Sequence, residues 1–177
     1  MPHRRVLGPL LKEAYNYWLK NEEPYPVGIG VIPESPRGEI LELGIEQAVF
    51  SYDELFSAAS DRRDDVSKPA NKALLSAMST SDAVRGDFCR RLQRGEALDG
   101  LLTASLRDRI AFSEHEIRSI AGLLESASRT TRYAASGVLE LHYLSLDTIL
   151  QLSERLTADS HQQLRDKGYE RLTALKP

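Results

Sequence analysis

The chain has 177 residues, of which 28% are charged and 41% hydrophobic, and its formal net charge is −3. This composition is typical of a soluble globular protein and disfavours an intrinsically disordered chain, and no apolar run is long enough to span a membrane. The negative charge disfavours nucleic acids and anionic membranes as partners, and Cys89, the only cysteine, excludes an intrachain disulfide and a four-cysteine zinc site.

The N-terminus begins with basic residues, Arg4 and Arg5, but prolines and a glycine interrupt its apolar stretch, so we do not expect a secretory signal. We therefore expect a cytoplasmic protein, which is also the compartment that a single free cysteine favours. No sequence pattern predicts a cofactor or a metal ion.

The N-terminal segment, residues 1–60, is predicted to contain a helix, a small β-hairpin and a second short helix. Apolar residues at helical spacing over about 9–22 predict the first helix. Alternating apolar residues on both sides of the turn at 33–38 predict a hairpin over about 27–45. Ser51, with Glu54 three residues later, predicts the start of the short helix.

Residues 60–69 form the most polar segment of the chain, which we interpret as an exposed connection. From residue 69 to 177 the pattern is helical throughout. Ser81 and Ser113 are predicted N-caps, and Glu116 completes a capping box with Ser113. Gly95 is the predicted end of the helix that begins near Ser81. We expect the two segments, 1–60 and 69–177, to form one compact domain.

The stretch from residue 131 to 156 is the predicted centre of the fold. On a helical wheel its apolar side chains cover more than half of the circumference, so a helix here needs neighbours on several sides. The predicted fold class is therefore mainly α: a single-domain bundle of five to seven helices around a central helix near 131–156, with the N-terminal hairpin.

The polar sector of this predicted helix is an acidic strip with an aromatic anchor. Glu140, Asp147 and Glu154 are seven residues apart, so they lie nearly in line, and Tyr143 and Gln151 lie beside them. If the rest of the chain leaves this sector uncovered, it suits a basic protein partner. The same residues are otherwise a plain solvent-exposed face.

A second candidate surface is basic. Arg85, Arg90, Arg91 and Arg94 share one side of the helix that begins near Ser81. Such a face can bind phosphate or an acidic partner, and its simpler interpretation is a solvated surface with salt bridges. No aromatic residue interleaves with these arginines, so stacking on single-stranded nucleic acid has no support.

The histidines provide two further hypotheses. His142 falls in the apolar sector of the predicted central helix, where it is either a buried structural histidine or part of a small-ligand site. The pairs Arg109 with His115 and Arg155 with His161 share a six-residue offset. This offset resembles the Arg and His of helical ribonuclease domains of the HEPN class, and it implies a phosphodiesterase. The resemblance is confined to these two residue types, and an apolar residue follows each arginine where that class has a polar one.

The sequence therefore favours a non-catalytic, cytoplasmic protein that acts through protein–protein contact, such as an inhibitor, an immunity or antitoxin-like protein, or an adaptor. Its predicted contact surfaces are the acidic strip and the turn at 33–38. Two alternatives stay open: a phosphodiesterase that uses an Arg/His pair, and a helical module that binds a small ligand beside His142.

Overall fold

The computed structural model describes residues 3–22, 35–141 and 144–175. In these ranges the chain is mainly α-helical and contains no strand, which confirms the mainly α fold class. The described ranges contain ten α-helices, more than the predicted five to seven: α1 (His3–Asn21), α2 (Pro36–Glu46), α3 (Tyr52–Ala59), α4 (Asp64–Thr80), α5 (Asp82–Gln93), α6 (Asp99–Arg107), α7 (Glu114–Gly122), α8 (Arg129–Ala135), α9 (Leu146–Thr157) and α10 (Gln162–Ala174).

The chain divides into two compact units, Met1–Ala77 and Met78–Pro177, and the division lies within α4. Each unit has fully buried apolar side chains, such as Phe56 in the first and Phe88 in the second. The predicted boundaries at residues 60 and 69, and the predicted single domain, stay predictions.

In the first unit, the hairpin prediction is wrong where the structure describes it. The segment predicted as the second strand lies in α2, and the first predicted strand lies outside the described residues. Ser35 and Pro36 explain the difference: the Ser35 side chain accepts a hydrogen bond from the Arg37 N–H, and Pro36 occupies the first helical position. The predicted turn at 33–38 is therefore, from Ser35 onward, the start of a helix.

A buried ion cluster connects distant segments of the first unit. The Arg37 guanidinium lies 2.7 Å from both the Glu22 and the Asp61 carboxylates, and only 6% of its side chain is exposed. Burial acts to lower the pKa of Arg37, but the hydrogen bonds to Asp61 and Glu22 outweigh it and raise the pKa. Since every charge in the cluster has a partner, we interpret the cluster as structural.

The polar segment at 60–69 is only partly a connection. Helix α4 begins at Asp64 and contains Pro69, so helical structure starts five residues before residue 69, where the helical pattern was predicted to begin. Proline lacks the N–H that would bond the carbonyl group of Asp65. Gly38 lies so close to this carbonyl that a Cβ on it would be 2.8 Å from the Asp65 oxygen.

In the second unit, the predicted central helix is wrong as one continuous element. Residues 129–140 form α8 and a 3₁₀ turn, Ser136–Glu140; Leu141 is extended, and Ser145 caps the start of α9. The buried apolar residues come from all three elements: Ala134 and Ala135 from α8, Val138 and Leu139 from the 3₁₀ turn, and Ile149, Leu152 and Leu156 from α9. Because these residues belong to separate elements, a single helical wheel combines them into one helix, apolar on most sides, that does not exist.

Candidate functional site

The exposed face of α9 is the strongest candidate for a functional surface. Ile149, Leu152 and Leu156 are buried on one side of this helix. Asp147, Gln151 and Glu154 are all exposed on the other side. The helix positions them because Ser145 accepts a hydrogen bond from the Thr148 N–H, which fixes where α9 begins.

Asp147 lies in the first turn of α9, where the helix dipole favours its charge, and Glu154 lies two turns later. Neither Asp147 nor Glu154 has an ion-pair partner among the described residues. Arg155, the nearest basic residue in the sequence, forms an ion pair with Glu125. Beside Asp147, Leu146 is 57% exposed and adds an apolar side chain to the face. This combination of free negative charge and exposed apolar area is typical of a protein-binding surface.

A recess of about 370 Å³ adjoins the N-terminal end of α9. Phe112, Ile117 and Leu144 form its apolar part, and Ser145 and Thr148 connect it to α9. Its rim also contains Glu114 and Arg118, which pair with each other across one helical turn at 2.5 Å. A recess of this size can accept one large apolar side chain of a partner.

Close packing of α9 on α10 holds the face in place. Gly168 of α10 lies against the backbone of α9, where a Cβ would be 2.7 Å from the Ser153 carbonyl oxygen and 2.9 Å from the Thr157 nitrogen. The Ser153 hydroxyl turns away from this contact and donates to the carbonyl of Ile149. The acidic face therefore rests on a closely packed helix pair.

The remaining two residues of the predicted strip differ from the prediction. Glu140 lies in the 3₁₀ turn and not in α9, so it is not in line with Asp147 and Glu154. Its carboxylate is exposed and lies 4.0 Å from the Lys167 ammonium. Tyr143 lies outside the described residues.

The four arginines of the predicted basic surface all have acidic partners. Arg90 and Arg91 pair with Asp87 at 3.2 and 2.8 Å, and Arg94 pairs with Glu96 at 2.9 Å. Burial acts to raise the pKa of Asp87, but Arg91 and Arg90 outweigh it and lower the pKa.

Arg85 is enclosed more fully than the other three. It pairs with Asp82 and Glu116 and donates to the carbonyl of Met78 at 2.7 Å. The geometry therefore favours the interpretation of this arginine surface as a solvated face with salt bridges, and phosphate binding by the four arginines stays a prediction.

The predicted Arg/His pairs have other neighbours. His115 is exposed in the first turn of α7, and Arg155 pairs with Glu125. His161 Nε2 lies 3.1 Å from an Arg129 nitrogen, a contact that sequence spacing did not indicate. The phosphodiesterase hypothesis stays a prediction, and it requires RNA degradation that is lost when His115 or His161 is replaced by alanine. His142 lies outside the described residues, so the small-ligand hypothesis also stays a prediction.

The described residues thus define a mainly α-helical protein with an exposed acidic helix. No protein-family model, curated protein or solved structure matches this chain. None of the helices in the described ranges combines the length and hydrophobicity needed to cross a membrane.

Proposed function

We propose that this chain is a non-catalytic protein that binds a basic protein partner through α9. The contact surface consists of Asp147, Gln151 and Glu154 together with the adjoining recess around Leu144 and Thr148. The partner segment presents lysine or arginine side chains to the carboxylates and one large apolar side chain to the recess.

The observation that carries this proposal is the unpaired charge of Asp147 and Glu154. An exposed carboxylate that already has an intramolecular partner gains little from a second cation, whereas an unpaired one attracts and orients a basic surface. The two groups are seven residues apart on one helix, about 10.5 Å along its axis, so they match basic residues two helical turns apart. The apolar recess supports the proposal because buried anchor side chains supply most of the affinity at protein interfaces.

Helix α2 in the first unit provides a matched comparison. Glu39 and Glu46 are also exposed and seven residues apart. They line recesses that also contain Lys68, and the recess at Glu46 contains Lys72 as well. The same recesses also contain Glu42, Asp64 and Asp65, and Lys68 is paired with Asp64 at 2.8 Å, so α2 is a comparably acidic face. A variant of α2 therefore distinguishes a specific contact at α9 from general attraction by exposed carboxylates.

The experiment is a quantitative capture from cell extract with three purified baits at about 0.15 M salt. The baits are the natural chain, Asp147→Asn/Glu154→Gln, and the control Glu39→Gln/Glu46→Gln, which removes the same charge from α2. We expect one protein whose recovery falls about tenfold with the α9 variant, as expected for a loss of about 1.4 kcal/mol, and is unchanged with the α2 control. Purified, that protein should bind the natural chain directly.

A second variant tests the recess. Thr148→Arg places a bulky cation at its edge, and we expect it to abolish recovery of the same protein while circular dichroism stays unchanged. Equal recovery with all baits, or a loss with the α2 control alone, would contradict the proposal.

A further inference from the structure

A second concave surface lies in the second unit and does not overlap with the α9 face. Two recesses, of about 300 and 550 Å³, adjoin each other and share Thr103, Tyr133 and Ala134. Arg129 and His161 line the first recess, and Arg107, Arg109 and Lys167 line the second. Arg107 is paired with Asp108 at 3.0 Å. We call this continuous surface the basic groove. Asp99 and Glu140 are the acidic residues that line it.

Arg129 brings an uncompensated positive charge to the groove. Its guanidinium donates to Nε2 of His161 at 3.1 Å. Unlike the arginines of α5, Arg129 has no carboxylate partner among the described residues.

Arg109 is held at the groove by an unfavourable backbone conformation. Helices α5 and α6 end in the same hydrogen-bond motif. At the end of α6, the Arg109 N–H donates to the Leu106 carbonyl and the Ile110 N–H donates to the Ser105 carbonyl, and Gly95 and Glu96 donate in the same way at the end of α5. In α5 the left-handed position is Gly95, with φ +79°, whereas in α6 it is Arg109, with φ +55°. An arginine here costs conformational energy that a glycine would avoid, and such strain is concentrated at functional sites. Arg109 is exposed and has no ion-pair partner in the described ranges.

Lys167 supplies a further cation from α10. Its Nζ lies 5.9 Å from the centre of the Tyr133 ring, and 27% of its side chain is exposed. The Glu140 carboxylate, at 4.0 Å, offsets part of its charge. Burial lowers the pKa of Lys167, against the opposing effect of Glu140 and Glu170. Arg109 and Arg129 are therefore the guanidinium groups of the groove that lack an ion-pair partner among the described residues, one in each recess, and Tyr133 lines both recesses.

We infer that the basic groove binds the phosphate group of a small phosphate ester. Guanidinium groups match the geometry of phosphate oxygens, and two unpaired ones at adjoining recesses favour a doubly charged anion over a single carboxylate. The volume of the recesses suits a ligand of nucleotide size, and Tyr133 offers an exposed ring beside it. This inference is independent of the proposed protein-binding function.

The test is isothermal titration calorimetry of the full chain at low ionic strength with inorganic pyrophosphate, adenosine 5′-monophosphate and citrate. We expect both phosphate probes to bind and citrate to bind more weakly. Arg129→Gln and Arg109→Gly should each weaken phosphate binding about tenfold, the effect of one charge-assisted hydrogen bond. The control Arg118→Gln removes an exposed arginine outside the groove and should leave the affinity within about twofold of the natural chain.

Arg109→Gly also separates a binding role from a structural one. The glycine relieves the left-handed strain, so the variant should have a higher melting temperature while it binds phosphate more weakly. Ala48→Gly relieves the comparable strain at φ +53° in the first unit and should raise the melting temperature with unchanged affinity. No heat of binding with either phosphate probe, tighter binding of citrate, or groove variants that bind phosphate as tightly as the natural chain would overturn the inference.

Discussion

Replacing Gly168 with alanine tests the packing that supports the acidic face. The new Cβ would lie 2.7 Å from the Ser153 carbonyl oxygen and 3.0 Å from the Leu156 Cβ. An ordinary contact between carbon and a carbonyl oxygen is about 3.3–3.6 Å, so α9 and α10 must separate by several tenths of an ångström. The obstacles include helix backbone, which cannot rotate away as a flexible side chain can.

Overpacking of this kind costs about 1–3 kcal/mol, and the higher helix propensity of alanine returns about 0.5–1 kcal/mol. We therefore expect Gly168→Ala to lower the free energy of unfolding by about 1–2 kcal/mol, measured by urea denaturation and circular dichroism. The matched control is Gly86→Ala inside α5, where the nearest atom is the far end of Arg90 at 3.5 Å.

The control variant should gain about 0.5–1 kcal/mol, because it has the propensity benefit without the backbone clash. A Gly168→Ala protein as stable as the natural chain, or stabilised as much as the control, would refute close packing of α9 on α10. The claim that a closely packed pair of helices, α9 and α10, holds the acidic face in place would then be wrong.

Three further predictions concern other contacts. The pKa of Asp159 is lowered chiefly by its hydrogen bonds from Arg132, so its stabilising contribution is complete above the pKa of the unfolded chain, near 4, and is lost as the pH falls through the pKa of the folded chain. Asp159→Asn should remove this part of the acid dependence of stability, measured by urea denaturation at different pH values. Burial raises the pKa of the Cys89 thiol to about 12, so Ellman's reagent should label one equivalent only after unfolding, and rapid labelling of the native chain would contradict this. Gly38→Ala inside α2, whose Cβ would lie 2.8 Å from the Asp65 carbonyl oxygen, should destabilise the chain by up to about 2 kcal/mol after the gain in helix propensity is subtracted, and a gain in stability in urea equal to that of Gly86→Ala would exclude that contact.

Local capping signals predicted helix ends well. Ser51 and Ser113 both form capping boxes with the glutamate three residues later, and Gly95 ends α5 with positive φ. These signals succeed because each depends on a few neighbouring residues and not on the tertiary fold. The same kind of signal, Ser35 followed by Pro36, was present at α2, but alternating apolar residues favoured a strand there.

Hydrophobic periodicity did not predict where one buried element ends and the next begins. Residues 131–156 are apolar because a short helix, a 3₁₀ turn and α9 each bury their own side chains, and periodicity cannot distinguish this from one buried helix. For the same reason, the sequence predicted the α9 face in part and did not predict the basic groove. Asp147, Gln151 and Glu154 share α9 and could be grouped by spacing, whereas the basic groove depends on contacts between α8 and α10 that no local pattern encodes.

The most direct test of the central claim is chemical labelling of carboxylates in the chain with and without its captured basic partner, analysed by mass spectrometry. The account predicts that labelling of Asp147 and Glu154 falls strongly in the complex, while labelling of Glu39 and Glu46 on α2 is unchanged. Equal labelling of Asp147 and Glu154 in the free and bound chain, or protection confined to α2, would contradict α9 as the contact surface.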